Sequence, residues 1–262
     1  MNIDIENFEE KGFALIKDFI SNSDFAEFYS ELNSLILNLS EKFNINLNSS
    51  DPISSIFLHS KSLRKTFYSS ISNMVFIEEF KLRFFKFIKA EGVLSKYNIK
   101  NPAIRASLMF FLPNEDVFNN PVHQDIYAYT SEKFLKFWIP FTIVDEFHGT
   151  MQVFDGSHKK GFIPPDDYSN NAYPTFSDKT LKKFTSNKTV LNFSLGSILM
   201  FNPLLLHSTV TNRSSKTRIT IGLDLLDLAT IVDLDFKNSV YKEMERIKTL
   251  RFSNRSQLAS YN

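Results

Sequence analysis

His123 and Asp125 stand one residue apart in the run PVHQDIYAY, residues 121–129. In an extended strand successive side chains alternate between faces, so an imidazole and a carboxylate at i and i+2 share a side while Gln124 points away. One face then offers a nitrogen and an oxygen donor to a single ion. Tyr127 and Tyr129 continue along that face, which makes them candidates to line a substrate cavity, with core packing as the rival. A second histidine in a strand-like run, His207, lies far downstream in LLHSTVTN. Two histidines and one carboxylate on neighbouring strands can form the facial triad that holds non-haem iron(II) and leaves positions open for oxygen chemistry.

The chain contains no cysteine, so disulfides, thiolate zinc sites, iron-sulfur clusters and a cysteine nucleophile are excluded together. Any metal must be held by His, Asp or Glu. With 30 Lys+Arg against 29 Asp+Glu the formal charge is +1, and no bulk field steers the protein to nucleic acid or an anionic membrane. The N-terminal MNIDIENFEEKGF is charged, and the longest apolar runs, such as SILMFNPLLL, fall far short of the roughly 20 residues that span a bilayer. These features point to a cytoplasmic protein whose partner is a small molecule. The 28 Phe against 7 Gly read as a compositional bias of the source rather than as a lipid site.

The elements that must position the donors divide the 262 residues into one domain of three parts. Residues 1–100 read as mostly helical support. Residues 23–42 place Phe25, Phe28, Leu32, Leu35, Ile36 and Leu39 at helical spacing behind the caps Ser21 to Asp24, and 63–68 and 77–88 read as helices too. The interleaved bases and aromatics of IEEFKLRFFKFIK imply one core face and one solvent face. From residue 101 the pattern changes to eight short runs: AIRASLMFFL, PVHQDIYAY, FLKFWIPFTIV, TMQVF, TVLNFSL, SILMFN, LLHSTVTN and TRITIGLDLL. Eight strands over 101–228 predict a mainly β fold, a double-stranded β-helix of the jelly-roll or cupin-like kind, braced by α-helices. A polar segment, 155–188, interrupts it as a candidate lid, and 229–262 reads as a closing helical segment.

In order and spacing the chain resembles the phytanoyl-CoA dioxygenase family of iron(II)- and 2-oxoglutarate-dependent oxygenases. The resemblance runs through GFALIKDFIS, VHQD, FWIPFTIVD, GTMQVFDGSHKKG and HSTVTNRSSKTR. It implies that His123, Asp125 and His207 ligate Fe(II), that Arg218 holds the distal carboxylate of 2-oxoglutarate, and that Thr209 touches the same group. The planar guanidinium suits a buried carboxylate through paired, charge-assisted hydrogen bonds. Arg213, in the turn TNRSSK, competes for this role but reads as solvent-exposed. Trp138 can stack beside the cofactor or belong to the core. Arg105, a charge within a β-run, either meets 2-oxoglutarate or a substrate anion, or closes a structural salt bridge. His158 reads as a loop-shaping residue, and His59 as a surface or packing one. Asp155 stands where relatives usually carry proline, and His148 where they tend to carry a small or amide residue.

The implied activity is hydroxylation of a small metabolite or biosynthetic intermediate with O2 as oxidant and succinate and CO2 as co-products. Because Asp125 keeps its carboxylate, halogenation is disfavoured, while desaturation and ring closure stay open. Two other classes stay open as well. One is a redox-neutral cupin-like isomerase or hydrolase using Zn or Mn, which has no use for Arg218. The other is a non-catalytic binding module on the same fold.

Overall fold

Helices come first in the computed structural model, which describes residues 3–114, 121–128, 134–166, 176–184 and 187–230. A short helix α1 (Ile5–Lys11) leads into strand β1 (Phe13–Ile16), and α2 (Asn22–Phe43) follows. Ser21 and Asp24 close a reciprocal capping box at the start of α2: the Asp24 N–H donates to Ser21 Oγ and the Ser21 N–H to Asp24 Oδ2. The buried stripe of α2 is Phe28, Leu32, Ile36 and Leu39, the three-to-four spacing of an amphipathic helix. Next come α3 (Pro52–His59), α4 (Lys61–Ser72), α5 (Val75–Ala90) and α6 (Val93–Lys96). The basic-aromatic run expected at 77–88 lies within α5, where Phe76, Ile77, Phe80, Phe84 and Ile88 are buried. Neither α1 nor α3 is marked by apolar periodicity, because each spans two turns or so. Tertiary contacts fix them instead, as when buried Asp51, just before α3, accepts from Thr217 N–H and Oγ1.

The β elements are β2 (Pro102–Phe111), β3 (Phe134–Pro140), β4 (Met151–Phe154), β5 (Lys188–Val190), β6 (Ile198–Phe201), β7 (His207–Thr209) and β8 (Arg218–Asp227), with a one-turn helix α7 (Asp178–Leu181) before β5. They form two antiparallel sheets, ordered β1-β6-β3-β8-β2 and β5-β4-β7. Strand β8 shows how the sequence assigns the faces. Its odd-numbered Ile219, Ile221, Leu223 and Leu225 pack with the helices, while Arg218, Thr220, Gly222 and Asp224 alternate to the other side. On that inner side Trp138, Leu199 and Phe201 of the larger sheet share one core with Met151 and Val153 of the smaller. The two sheets therefore enclose a common interior.

One expectation is corrected here and two are refined. Over its described residues 121–128 PVHQDIYAY is not a strand: His123 forms a single bridge with His207, its N–H on the His207 carbonyl at 2.9 Å and the reciprocal bond at 3.0 Å, and a 3-10 helix begins at Asp125 (Asp125–Ala128). The partner strand β7 is only three residues long and offers no ladder to extend the pairing. Strand β1 takes an edge of the larger sheet instead, in register with β6 from Phe13↔Phe201 to Ile16↔Ile198. The segment 155–188 is partly regular, with a 3-10 helix at Ser157–Lys160 and α7 within it. Its residues 167–175 and 185–186 lie outside the described residues, as do Tyr129 and the 231–262 part of the expected closing segment. Among the described residues no helix is long and apolar enough to cross a membrane.

Candidate metal centre

The bridge between His123 and His207 places the two imidazoles side by side, ring centroids 4.2 Å apart. Each ring is fixed from behind: Nδ1 of His123 lies 2.7 Å from the Pro121 carbonyl oxygen, and Nδ1 of His207 lies 3.0 Å from that of Leu205. Both Nε2 atoms turn to Asp125, 3.4 Å from Oδ1 for His123 and 3.6 Å from Oδ2 for His207. One ligand atom from each residue lies within 4.8 Å of the others. Donors about 2.1 Å from an ion and at right angles to one another stand about 3 Å apart, so the triad suits a first-row metal after small adjustment.

Electrostatics suits the same purpose. Burial, followed by the charge of His123, pushes His207 down to about 4, which keeps its ring neutral and its lone pair available. For Asp125 burial alone acts upward, but Lys136, His207 and the His123 hydrogen bond together hold the carboxyl well below its usual range. Lys136 Nζ stands 3.4 Å from Asp125 Oδ2 and 2.7 Å from Asp224 Oδ1, and the two carboxylates outweigh the cost of burying the ammonium, so it stays charged.

Farther along the inner face the Arg218 side chain is 2% exposed. Its guanidinium stacks on Phe111, its register partner, 3.8 Å from the ring centroid, and lies 5.5 Å from that of Trp138. Among the described residues Nε, Nη1 and Nη2 all lack a hydrogen-bond partner, and so do the buried hydroxyls of Thr209 and Thr220. Burial lowers this guanidinium to about 9. A buried cation with no acceptor is costly, so this cradle fits an anion that arrives from outside the chain. Thr209 shares the inward face of β7 with His207, opposite Met151 and Val153 of β4.

Arg105 does not join this cradle. Its Nε and Nη2 donate to Asp224 Oδ2 at 3.0 and 2.8 Å, the salt-bridge alternative. Asp224 lies six residues from Arg218 along β8, about 20 Å at roughly 3.3 Å per residue. Trp138 faces inward as core and as a wall beside Arg218. Arg213 is exposed, His59 is exposed at the end of α3, and His158 contacts the Glu9 carbonyl oxygen at 3.2 Å. Tyr127 falls in the 3-10 helix, and its side chain lies outside the described residues.

Four contributors were not singled out from sequence: Lys136, Thr220, Gly149 and Gln124. Alternation along β3 and β8 marks the first two, since Lys136 shares the face of Trp138 and Thr220 that of Arg218. Gln124, 0% exposed, points away from the triad, donates to the Gly161 and Leu204 carbonyl oxygens and accepts from the Ile163 N–H. It ties the triad segment to the loop after the Gly-Ser-His turn.

The sequence pattern of the phytanoyl-CoA dioxygenase (PhyH) family matches residues 8–220, from α1 through the triad to the start of β8. The chain belongs to the phytanoyl-CoA dioxygenase family. His123, Asp125, His207 and Arg218 all lie inside the matched span. Solved structures with the same fold include the epimerase SnoN in complex with Fe3+, alpha ketoglutarate and nogalamycin RO. It is 12% identical, with a TM-score of 0.51 over 85% of this chain and 81% of that one. EctD from S. alaskensis with bound Fe is 12% identical, with a TM-score of 0.52 over 86% and 76%, and its apoform gives 0.53 over 88% and 78%. No curated protein matches the chain.

Proposed function

We propose that this phytanoyl-CoA dioxygenase family member is an Fe(II)- and 2-oxoglutarate-dependent oxygenase that hydroxylates a C–H bond of a small metabolite or biosynthetic intermediate. The observation that carries the reading is the Arg218 guanidinium, buried without an acceptor on the same inner face as a His-Asp-His cluster. A redox-neutral isomerase or hydrolase has no use for that arginine. Two facing antiparallel sheets with the triad between them support a double-stranded β-helix as the scaffold. The SnoN complex with Fe3+ and alpha ketoglutarate and the Fe-bound EctD share this fold.

In this reading His123, Asp125 and His207 hold the metal through Nε2, one carboxylate oxygen and Nε2. Arg218 binds the distal carboxylate of 2-oxoglutarate, with Thr209 and Thr220 as further donors and Trp138 and Phe111 as flanking walls. The bound iron and cosubstrate supply O2 activation, with release of succinate and CO2. The chain's own contribution is orientation and exclusion of water: the buried guanidinium and hydroxyls fix the cosubstrate, and the apolar interior keeps solvent from the reacting C–H bond. Residues 155–188, tied to the triad segment by Gln124, serve as the lid.

Anaerobic addition of Fe(II) and then 2-oxoglutarate to the apo-protein tests this. A weak visible charge-transfer band of the chelate is expected, and its absence with metal bound would favour the redox-neutral reading.

A further inference from the structure

The three triad residues are not equally anchored. The histidines are pinned by two backbone bonds to one another and by carbonyl oxygens at Nδ1. Asp125 opens a 3-10 helix instead, outside any ladder. On Oδ2, which His207 Nε2 also faces at 3.6 Å, a contact comes from β3, where Lys136 Nζ lies 3.4 Å away.

Lys136 is itself held. It is the register partner of Asp224 on β8, and Asp224 faces Arg105 on β2 across the next strand pair. The ammonium reaches Asp224 Oδ1 at 2.7 Å, and the Arg105 guanidinium, half-exposed at the sheet edge, holds Oδ2 through Nε and Nη2. Guanidinium, carboxylate, ammonium and carboxylate thus alternate along one cross-strand row that ends at the metal position. Outer partners of this kind orient metal ligands and tune their donor strength.

We propose that Lys136 is a positioning residue for the metal carboxylate, the counterpart for Asp125 of the carbonyls behind the two histidines. By engaging one oxygen it leaves the other to bind metal and keeps Asp125 from binding through both. A two-oxygen carboxylate would occupy a position that the facial arrangement leaves open. The inference rests on the triad being the metal centre. It has a rival of opposite sign, because a cation that merely sits near a metal repels it and its removal tightens binding.

Co(II) titration of the full chain, followed by visible absorption and by competition with a chelator, separates the two. In Lys136→Met, metal affinity is expected to fall by about 10- to 100-fold, with altered Co(II) d–d bands. Lys136→Arg restores most of the affinity and the native bands. Because Lys136→Met strands the buried Asp224 carboxylate, the double variant K136M/D224N, which removes both charges, serves if the single one does not fold; the same loss is expected. Affinity equal to or tighter than native with unchanged bands, in whichever variant folds, overturns the proposal. If the native chain takes up no Co(II), or His207→Ala takes it up as well as native, the metal-centre reading itself fails.

Discussion

Gly149 passes so close to Arg218 that a Cβ built on it would stand 3.1 Å from the guanidinium Nη1, and equally close to the Val210 carbonyl oxygen. Its φ of +81° lies in the left-handed region that glycine adopts freely. Gly149→Ala is therefore expected to cost about 1–3 kcal/mol of stability through backbone strain. It should also weaken 2-oxoglutarate binding by displacing the guanidinium, while metal binding is unchanged. Thermal unfolding and cosubstrate titration of the metal-loaded protein check both.

In the proposed reading Arg218 awaits the cosubstrate carboxylate, and burying its guanidinium with no acceptor among the described residues costs stability. Even a paired buried charge is often replaced by apolar side chains of similar volume without loss or with a gain of about 1–4 kcal/mol, and a lone buried cation has no pair to lose. Arg218→Met, an unbranched apolar side chain nearer in length, should thus melt at or above the native protein in the absence of 2-oxoglutarate, yet gain nothing when it is added and show no chelate band. Arg213→Ala, on the exposed turn, should behave as native in both assays. The reverse result would reassign the cosubstrate cation to Arg213.

Asp125→Ala and His207→Ala are each expected to abolish 2-oxoglutarate turnover. They should also remove the stabilisation by metal, which reaches about 2.7 kcal/mol at a free concentration of 100 times Kd. Melting curves with and without Mn(II) read this without any catalytic assay.

Gln124→Leu tests the tie between the triad segment and the loop. Removing its amide leaves the half-buried Leu204 and Gly161 carbonyls and the Ile163 N–H without that partner. Because these groups are half-buried and can turn partly to water, the expected cost is about 1–3 kcal/mol in all. Proteolysis within 155–188 should quicken, while Co(II) affinity is largely kept.

Asp24 supplies a pH signature of the helical layer. Burial acts upward on its carboxyl, but the Ser21 hydrogen bonds and Arg83 outweigh it and hold it below its usual 3.8. A depressed carboxyl adds stability that is present above that unfolded value and lost as pH falls below it. Asp24→Asn should flatten the acid limb of stability against pH relative to the native chain.

Much of this site is legible in the sequence where periodicity carries it. The alternation in RITIGLDLLD separates Arg218 and Thr220 from the isoleucines without any structure in view. The pairing of His123 with Asp125 is legible as well, although strand alternation is the wrong reason: a bridge residue followed by a 3-10 turn brings them together. Lys136 escapes notice because FLKFWIPF reads as apolar, and one charge in such a run identifies no partner until the register sets it opposite Asp224. Strand β1 escapes for another reason. Four residues, FALI, are too few to carry a period, and their partner lies at the far end of the chain.

That last pairing governs how the protein must be born. No two neighbours in the order β1-β6-β3-β8-β2 are consecutive in the chain, and β2 waits for β8 more than a hundred residues later. A nascent chain leaving the ribosome therefore carries the apolar faces of α2 and α5 before the sheet that covers them exists. Long-range closure of this kind makes folding slow and leaves sticky intermediates. Cool, slow expression should raise the soluble yield, and chains that stop short of Arg218 should aggregate instead of forming a smaller folded core.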